Sequence, residues 1–174
     1  SYLQLNQSVC RDRIGIIRSL ILDPKYEVYL FTTTTKADAI YDVVINSIGF
    51  KNKIILEESI ESARKIIGEL ELDILVYPEI GESALIYYTA FARLAPIQIT
   101  TIGHCDTSGL QNIDYYISSK LFEPLNAQDY YSEKLIQLNN LPVNLKVLIC
   151  KENPLKYDFT PTLENIRKYV AGNL

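Results

Sequence analysis

The sequence predicts an α/β domain built in three layers around a mainly parallel sheet. Short apolar runs typical of strands alternate with segments of about a dozen residues at helical spacing, as in chains built from βαβ units. The length of 174 residues and the hydrophobic content of 48% suit one compact domain with a sizeable core. The seven glycines and seven prolines fall mostly between these segments, where a chain turns. We expect right-handed crossovers between the parallel strands.

The first half of the chain predicts an opening helix followed by alternating strands and helices. In order, the elements are a helix over residues 9–22, a strand over 26–32, a helix over 37–48, a strand over 53–56 and a helix over 60–70. The helices repeat apolar residues at the spacing of one helical face, and the strands are rich in aromatic and branched side chains. Pro24 ends the first helix, and Gly49 is the expected C-cap of the second.

The second half continues the alternation. In order, the elements are a strand over residues 73–77, a helix over 83–94, strands over 97–102 and 113–118, a short helical segment over 126–131 and a strand over 134–138. The run DILVY at 73–77 is apolar almost throughout, which predicts a strand buried on both faces. Beyond Pro142 the signal weakens, and we expect one more strand over 146–150 and a terminal helix over 162–170.

Composition argues against several classes of protein. The net charge is −4 with scattered lysines and arginines, so we expect no nucleic-acid partner. No apolar run approaches the ~20 residues of a membrane span, which predicts a soluble, cytoplasmic protein without a membrane partner. The three cysteines are widely separated and suit free thiols. The chain lacks methionine and opens in what reads as the middle of a helix, so we expect a fragment of a longer protein.

Ligands of open α/β sheets bind beyond the carboxyl ends of the strands. This rule selects four loops, over residues 32–35, 78–81, 103–109 and 118–120. The loop 103–109, GHCDTSG, is the richest in chemistry. It holds the only histidine, His104, and its glycines allow close backbone approach. With the hydroxyls of Thr107 and Ser108 nearby, the loop suits an oxygen-rich ligand such as a sugar or a phosphate.

Several roles for these residues remain open from sequence. The chain lacks both GxGxxG and GxxxxGK[ST], which disfavours the two common nucleotide-binding motifs. A Ser108, His104 and Asp106 triad is disfavoured, because one tight loop cannot place a nucleophile, a base and an orienting group correctly. His104 either acts as a general base or sugar hydrogen-bonding group, or only ties down the turn. Glu79 either contacts a ligand or compensates a helix N-terminus, and Asp114 is expected to be structural.

Four linked motifs between Leu72 and Leu138 carry a family resemblance. The runs RLAPIQ, GHCDTSG, IDYYISS and NAQDYYSEKL, preceded by LDILVYPEIG, resemble in order and spacing the catalytic region of the O-linked N-acetylglucosaminyltransferase type of glycosyltransferase. Cys105 stands where that family usually has proline. The resemblance implies that residues 1–142 form the N-terminal Rossmann-like half of a GT-B fold. Residues 143–174 would be an extension packed on it or a remnant of the second half.

The resemblance also implies a reaction. N-acetylglucosamine would pass from UDP-N-acetylglucosamine to serine or threonine hydroxyls of proteins, with inversion and without a metal or cofactor. The implied ligand-facing residues are Gly103, His104, Thr107, Ser108 and Gly109, with His104 as the catalytic residue. The implied partners are a protein acceptor, a C-terminal catalytic half and tetratricopeptide repeats, so the chain would be inactive alone. The alternatives are a non-catalytic module that binds an acceptor or partner, and a free-standing small-molecule enzyme.

Overall fold

The computed structural model describes residues 8–32, 49–78, 80–81, 83–103 and 106–141. The helix predicted over 37–48, the strand over 146–150 and the helix over 162–170 lie outside the described residues. The boundary predicted at residue 142 between two segments therefore stays a prediction.

Helices and strands alternate along the described part of the chain. They are α1 (Ser8–Leu22), β1 (Leu30–Thr32), β2 (Lys53–Ile55), α2 (Ile60–Gly68), β3 (Ile74–Tyr77), α3 (Ala84–Thr89), β4 (Ile97–Thr101), β5 (Tyr115–Ser119), a 3₁₀ helix (Ala127–Tyr130) and β6 (Lys134–Leu138). Helices α2 and α3 begin at serine N-caps, because the hydroxyls of Ser59 and Ser83 accept from main-chain amides in the first turn. No helix in the ranges given above is long and apolar enough to cross a membrane.

All the strand pairs in the described residues are parallel. β3, β4, β5 and β6 form a four-stranded sheet in that order, and β1 pairs with β2. The register places Thr100 beside Tyr77 on one side and beside Tyr116 on the other. The predicted α/β class with a mainly parallel sheet is therefore confirmed.

Helices α2 and α3 cover one face of the sheet at β3. The buried side chains of Leu75 and Tyr77 belong to the same apolar cluster as Ile67 of α2 and Ile86 of α3. Apolar burial of this kind contributes roughly 25 cal/mol per Å² removed from water, so the cluster stabilises the packing of these helices on β3. It fixes β3, and through the parallel register it fixes the position at which β4 ends.

Helix α1 lies near the carboxyl end of β4. Its Arg13 is buried and donates a hydrogen bond to the carbonyl oxygen of Ile102, the residue that follows β4. Thr101 and Ser119, at the ends of β4 and β5, are buried as well. The carboxyl end of β4, where the loop 103–109 begins, is thus buried.

One burial prediction was wrong. β3 was expected to be buried on both faces, but Ile74 and Val76 are 50% and 47% exposed, while Leu75 and Tyr77 are buried. In the described part of the chain, the helices packed on β3 cover the face of Leu75 and Tyr77. A continuous apolar run shows that both faces are apolar, but it does not show what covers each face.

Two elements are several residues shorter than predicted. The strand expected over 26–32 is confined to Leu30–Thr32, where β2 pairs with it. The helix expected to reach residue 94 ends at Thr89, and the chain continues in tighter turns with bonds from Phe91 N to Tyr88 O and from Ala92 N to Thr89 O. These i to i+3 bonds are the 3₁₀ type that commonly closes an α-helix.

Candidate functional site

The carboxyl end of β4 is fixed on both sides before the loop begins. Thr100 Oγ1 donates to the carbonyl of Tyr77 in β3 at 3.1 Å, and Thr101 Oγ1 donates to the carbonyl of Ile117 in β5 at 3.0 Å. Alternating side chains of a strand point to opposite faces, so these two threonines brace β4 on different faces of the sheet. Gly103 lies two residues after Thr101 and starts the loop from this braced strand end.

The second half of the loop is anchored on the carboxylate of Glu133. Thr107 Oγ1 donates to Glu133 Oε2 at 2.6 Å, and the main-chain amide of Ser108 donates to Glu133 Oε1 at 2.8 Å. The hydroxyl of Ser108 also donates to Oε1, and that of Ser132 donates to Oε2 at 3.1 Å. Hydrogen bonds to a carboxylate are roughly twice as strong as neutral ones. The loop between β4 and β5 is thereby fastened to the start of β6.

Within the loop, side-chain hydroxyls replace missing backbone partners. The amide of Gly109 donates to Thr107 Oγ1 at 3.3 Å, and the amide of Leu110 donates to Ser108 Oγ at 3.2 Å. Such bonds to a residue two positions earlier are the serine and threonine turns that stabilise tight loops. Gly109 has φ of +67°, a backbone conformation that side chains disfavour. The sequence TSG thus specifies the turn in three ways, through the Thr107 hydroxyl, the Ser108 hydroxyl and the positive φ of Gly109.

The pKa of Glu133 lies below its ordinary value. Burial of the carboxyl group would raise its pKa, but the hydrogen bonds from Ser108 and Thr107 favour the ionised form and outweigh that effect. Gln128 helps to hold the main chain at Glu133. Its side-chain nitrogen donates to the carbonyl of Glu133 at 2.9 Å, and its side-chain oxygen accepts from the main-chain amide of Leu135 at 2.9 Å. Glu133 is therefore an ionised carboxylate at a firmly held position.

A second carboxylate, Glu123, links the end of β5 to the segment before β6. It accepts from the Ser118 hydroxyl at 2.5 Å and from the Tyr131 hydroxyl at 2.8 Å. Burial raises the pKa of Tyr131, and its bond to Glu123 raises it further. The Tyr131 ring also packs on the ring of Tyr116, with centroids 4.7 Å apart. The hydrogen bonds of Glu123 reach Ser118 and Tyr131 and involve none of residues 107–109.

A third network lies at the opposite edge of the sheet, where the strands begin. Gln98 is fully buried and donates to the carbonyls of Ala92 and Asn112, while its side-chain oxygen accepts from the amide of Leu94. Asp114 accepts from Arg93 at 2.5 Å and from the amide of Gln98 at 2.7 Å. The hydrogen bond from Arg93 lowers the pKa of Asp114. The predicted structural role of Asp114 agrees with these contacts, which also explain the motifs RLAPIQ and IDYY.

A small depression opens beside the loop at the carboxyl edge of the sheet. It is lined by residues from strands β4 and β5, from the segment after β3 and from the loop, namely Ile80, Thr100, Thr101, Asp106, Ser108 and Tyr116. Its lining includes the hydroxyl-bearing residues Thr100, Thr101 and Ser108 and the acidic residue Asp106. No group of three or more histidine, cysteine, aspartate or glutamate side chains that could hold a metal occurs in the described part of the chain.

The predicted site residues fall into two groups. Gly103, Thr107, Ser108 and Gly109 lie together in the loop at the carboxyl edge, where the strand rule expects a ligand. His104 lies outside the described residues, as do Cys105 and Glu79, so the roles expected of His104 and Glu79 stay predictions. What sequence reasoning missed is Glu133. Its only signal was a carboxylate directly before an apolar strand, within the motif YSEKL.

Comparison with known proteins agrees with this arrangement. Residues 87–142 match the model of glycosyl transferase family 41. The protein named probable UDP-N-acetylglucosamine–peptide N-acetylglucosaminyltransferase SPINDLY from Solanum lycopersicum is 33% identical over 121 residues, which cover 66% of this chain and 13% of that protein. The protein of the same name from Arabidopsis thaliana is 32% identical over 120 residues, covering 66% of this chain and 13% of the relative.

A solved structure shares the fold. An O-GlcNAc transferase mutant from Thermobaculum terrenum superimposes with a TM-score of 0.66 at 22% identity, covering 79% of this chain and 26% of that one. The chain thus spans about an eighth of the length of the plant relatives and about a quarter of the solved structure. The matched segment includes the loop 103–109, Glu133 and both flanking strands. Residues 87–142 therefore match glycosyl transferase family 41, and the chain is similar to glycosyltransferases of the O-linked N-acetylglucosaminyltransferase type, as the four motifs predicted.

Proposed function

We propose that this chain is the N-terminal, Rossmann-like half of the GT-B catalytic region of a protein O-glycosyltransferase. The enzyme transfers N-acetylglucosamine from UDP-N-acetylglucosamine to serine or threonine hydroxyls, with inversion and without a metal or cofactor. The observation that carries the proposal is the anchored loop 103–109 at the carboxyl edge of the sheet, inside the segment that matches family 41. The names of the plant relatives support the same donor and a peptide acceptor.

In this proposal the loop faces the sugar and acceptor side of a cleft between two halves. The acceptor oxygen attacks the anomeric carbon of the sugar while the bond from that carbon to UDP breaks, and the hydroxyl proton passes to a base. His104 is the proposed base, because an imidazole titrates near neutral pH. Gly103, Thr107, Ser108 and Gly109 shape the surface next to it. UDP is held mainly by the C-terminal half, so residues 1–174 alone do not transfer sugar.

The remaining parts of the proposal concern the longer protein. Tetratricopeptide repeats recruit the protein acceptor, and residues 143–174 are an extension on this domain or the start of the second half. The protein works in the cytoplasm, and neither nucleic acid nor membrane is its partner. The lengths of the relatives support a longer protein, since the chain spans only 13% of SPINDLY from Solanum lycopersicum or Arabidopsis thaliana.

The test uses the full-length protein that contains this chain. Purified protein is incubated with radiolabelled UDP-N-acetylglucosamine and candidate acceptor proteins, and sugar transfer is measured. His104→Ala should lower kcat by roughly 10² to 10⁴, the contribution typical of a general base. Glu57→Ala, at an exposed position in the loop before α2, is the control and should leave transfer unchanged. Unchanged turnover in His104→Ala would make the histidine structural, and a full-length protein without donor binding or transfer would refute the function.

One observation favours a second candidate, a non-catalytic module that binds an acceptor or partner. The hydroxyls of Thr107 and Ser108 both donate to Glu133 and are committed within the domain. A full-length protein that captures an acceptor protein but binds no UDP-N-acetylglucosamine would support this candidate. Measurable sugar transfer would exclude it.

A further inference from the structure

Glu133 is a buried carboxylate whose charge is balanced without a basic side chain. It is 2% exposed, and in the part of the chain that the structure describes no lysine or arginine forms an ion pair with it. Burying an isolated carboxylate is costly unless hydrogen bonds compensate it. Here the compensation comes from Thr107, Ser108 and Ser132. All of these donors belong either to the loop or to the residue next to Glu133.

The same contacts use the hydroxyl protons of Thr107 and Ser108. A hydroxyl has one proton, and those of Thr107 and Ser108 point at Glu133. The amide of Ser108 also donates to Glu133, while the amides of Gly109 and Leu110 donate to the two hydroxyls. A sugar placed beside this turn therefore meets Thr107 and Ser108 hydroxyl protons that already donate to Glu133, and main-chain amides of residues 108–110 that are already hydrogen-bonded. The turn can act on a ligand through its shape and through neighbouring residues.

We propose that Glu133 is a positioning residue of the transferase, and that Thr107 and Ser108 contribute to sugar transfer through Glu133 rather than by contacting the sugar. This inference rests on the proposed function. The carboxylate fixes the turn 107–110, and the turn fixes the residues of the loop that face the cleft. Misplacing a site by about 1 Å can lower a rate by roughly 10²-fold, so a loosened turn is enough to reduce catalysis.

The central variant is Glu133→Gln, which keeps the shape of the side chain and removes its charge. Its amide group presents protons toward hydroxyls that now donate to the carboxylate, so part of the network must turn around. In the full-length protein we expect kcat to fall by about 10-fold to 100-fold with little change in KM for UDP-N-acetylglucosamine. Glu123→Gln is the matched control, because Glu123 also accepts from a serine and a tyrosine but does not touch residues 107–110.

A double-mutant cycle separates positioning from sugar contact. If Ser108 acts through Glu133, adding Ser108→Ala to Glu133→Gln should lower kcat no further than the more severe single variant does. Effects that multiply would mean that Ser108 contacts the substrate independently, and this would overturn the proposal. Thr107→Val, which removes the bond to Oε2, replaces Glu133→Gln in the cycle if that variant does not fold.

A second readout does not depend on activity. Amide hydrogen exchange over residues 106–112 of the full-length protein should accelerate at least 10-fold in Glu133→Gln and stay unchanged in Glu123→Gln. Unchanged exchange in Glu133→Gln would refute the positioning role even if transfer were reduced. Absence of transfer by the wild-type protein would refute the proposed function instead, and exchange would then still decide whether Glu133 orders the turn.

Discussion

Gln98 offers the sharpest test of how the family motifs act on the fold. It is the last residue of RLAPIQ and its side chain is completely buried. Its amide donates to the carbonyls of Ala92 at 3.1 Å and Asn112 at 2.7 Å, and its oxygen accepts from the amide of Leu94 at 2.9 Å. One side chain therefore joins the loop before β4 to the loop before β5. Gln98→Leu keeps nearly the same volume and removes all three bonds.

The expected cost follows from those bonds. Each intramolecular hydrogen bond contributes about 1 kcal/mol net, and buried groups left without a partner cost more. Leucine recovers part of the loss by burying apolar surface, so we expect a net destabilisation of about 2–3 kcal/mol. Gln98→Glu should be worse at neutral pH, because a buried carboxylate would face the carbonyl oxygens of Ala92 and Asn112.

Urea unfolding of the purified chain, followed by circular dichroism, measures the effect. Gln98→Leu should lower the free energy of unfolding by about 2–3 kcal/mol without changing the slope with denaturant. Gln137→Leu, at a half-buried position on the edge strand β6, is the control and should change it by less than about 0.5 kcal/mol. A Gln98→Leu variant within about 0.5 kcal/mol of wild type would refute the view that this network supports the domain.

Three further predictions use the same unfolding assay. Gly109→Ala should cost about 1 kcal/mol of stability through its backbone alone, because φ is +67° and an added Cβ would meet no atom within 4 Å. Gly68→Ala, in helix α2, should stabilise the protein by up to about 1 kcal/mol. Equal effects of the two substitutions would contradict the backbone explanation. Tyr77→Phe should leave stability unchanged or raise it, since the buried Tyr77 hydroxyl has no hydrogen-bond partner among the described residues. Tyr131→Phe should cost about 1.5–3 kcal/mol, because it loses the hydrogen bond to Glu123. A larger loss in Tyr77→Phe than in Tyr131→Phe would contradict this explanation. The pKa of Glu133 is lower in the folded than in the unfolded protein, so its ionised carboxylate stabilises the fold above the unfolded pKa of about 4.3, and this stabilisation is lost as pH falls through the folded pKa. Between pH 6 and pH 3, Glu133→Gln should therefore lose less stability than the wild type. Equal losses in the two proteins would refute this assignment.

Much of the fold was predictable because its signals are local. The strand β6 was predicted with the bounds that the structure shows, and helix α1 within one residue, since periodicity and end signals lie within each segment. The helix predicted over 83–94 begins within one residue of its predicted start, at Ala84, but ends earlier than expected, at Thr89. End positions depend on packing around the last turn, which the spacing of apolar residues does not encode.

The sequence predicted a candidate site to the level of the loop. The rule for parallel sheets selected four loops without any family knowledge, the residue types of 103–109 favoured that loop, and the four motifs indicated the glycosyltransferase type. Neither route identified Glu133 as the anchor of Thr107 and Ser108. These residues are 25 or 26 positions apart in the chain, and no local pattern connects them.

The sequence by itself determined the order of strands and helices, the α/β class, the family and the loop at which a ligand is expected. Each of these depends on residues close together in the chain or on motifs in a fixed order. The tertiary structure alone decided that Ile74 and Val76 lie on an exposed face, and that the hydroxyls of the loop are committed to a buried carboxylate. Both outcomes depend on which segments meet after β3, β4, β5 and β6 align, because burial and hydrogen bonding are set by spatial neighbours.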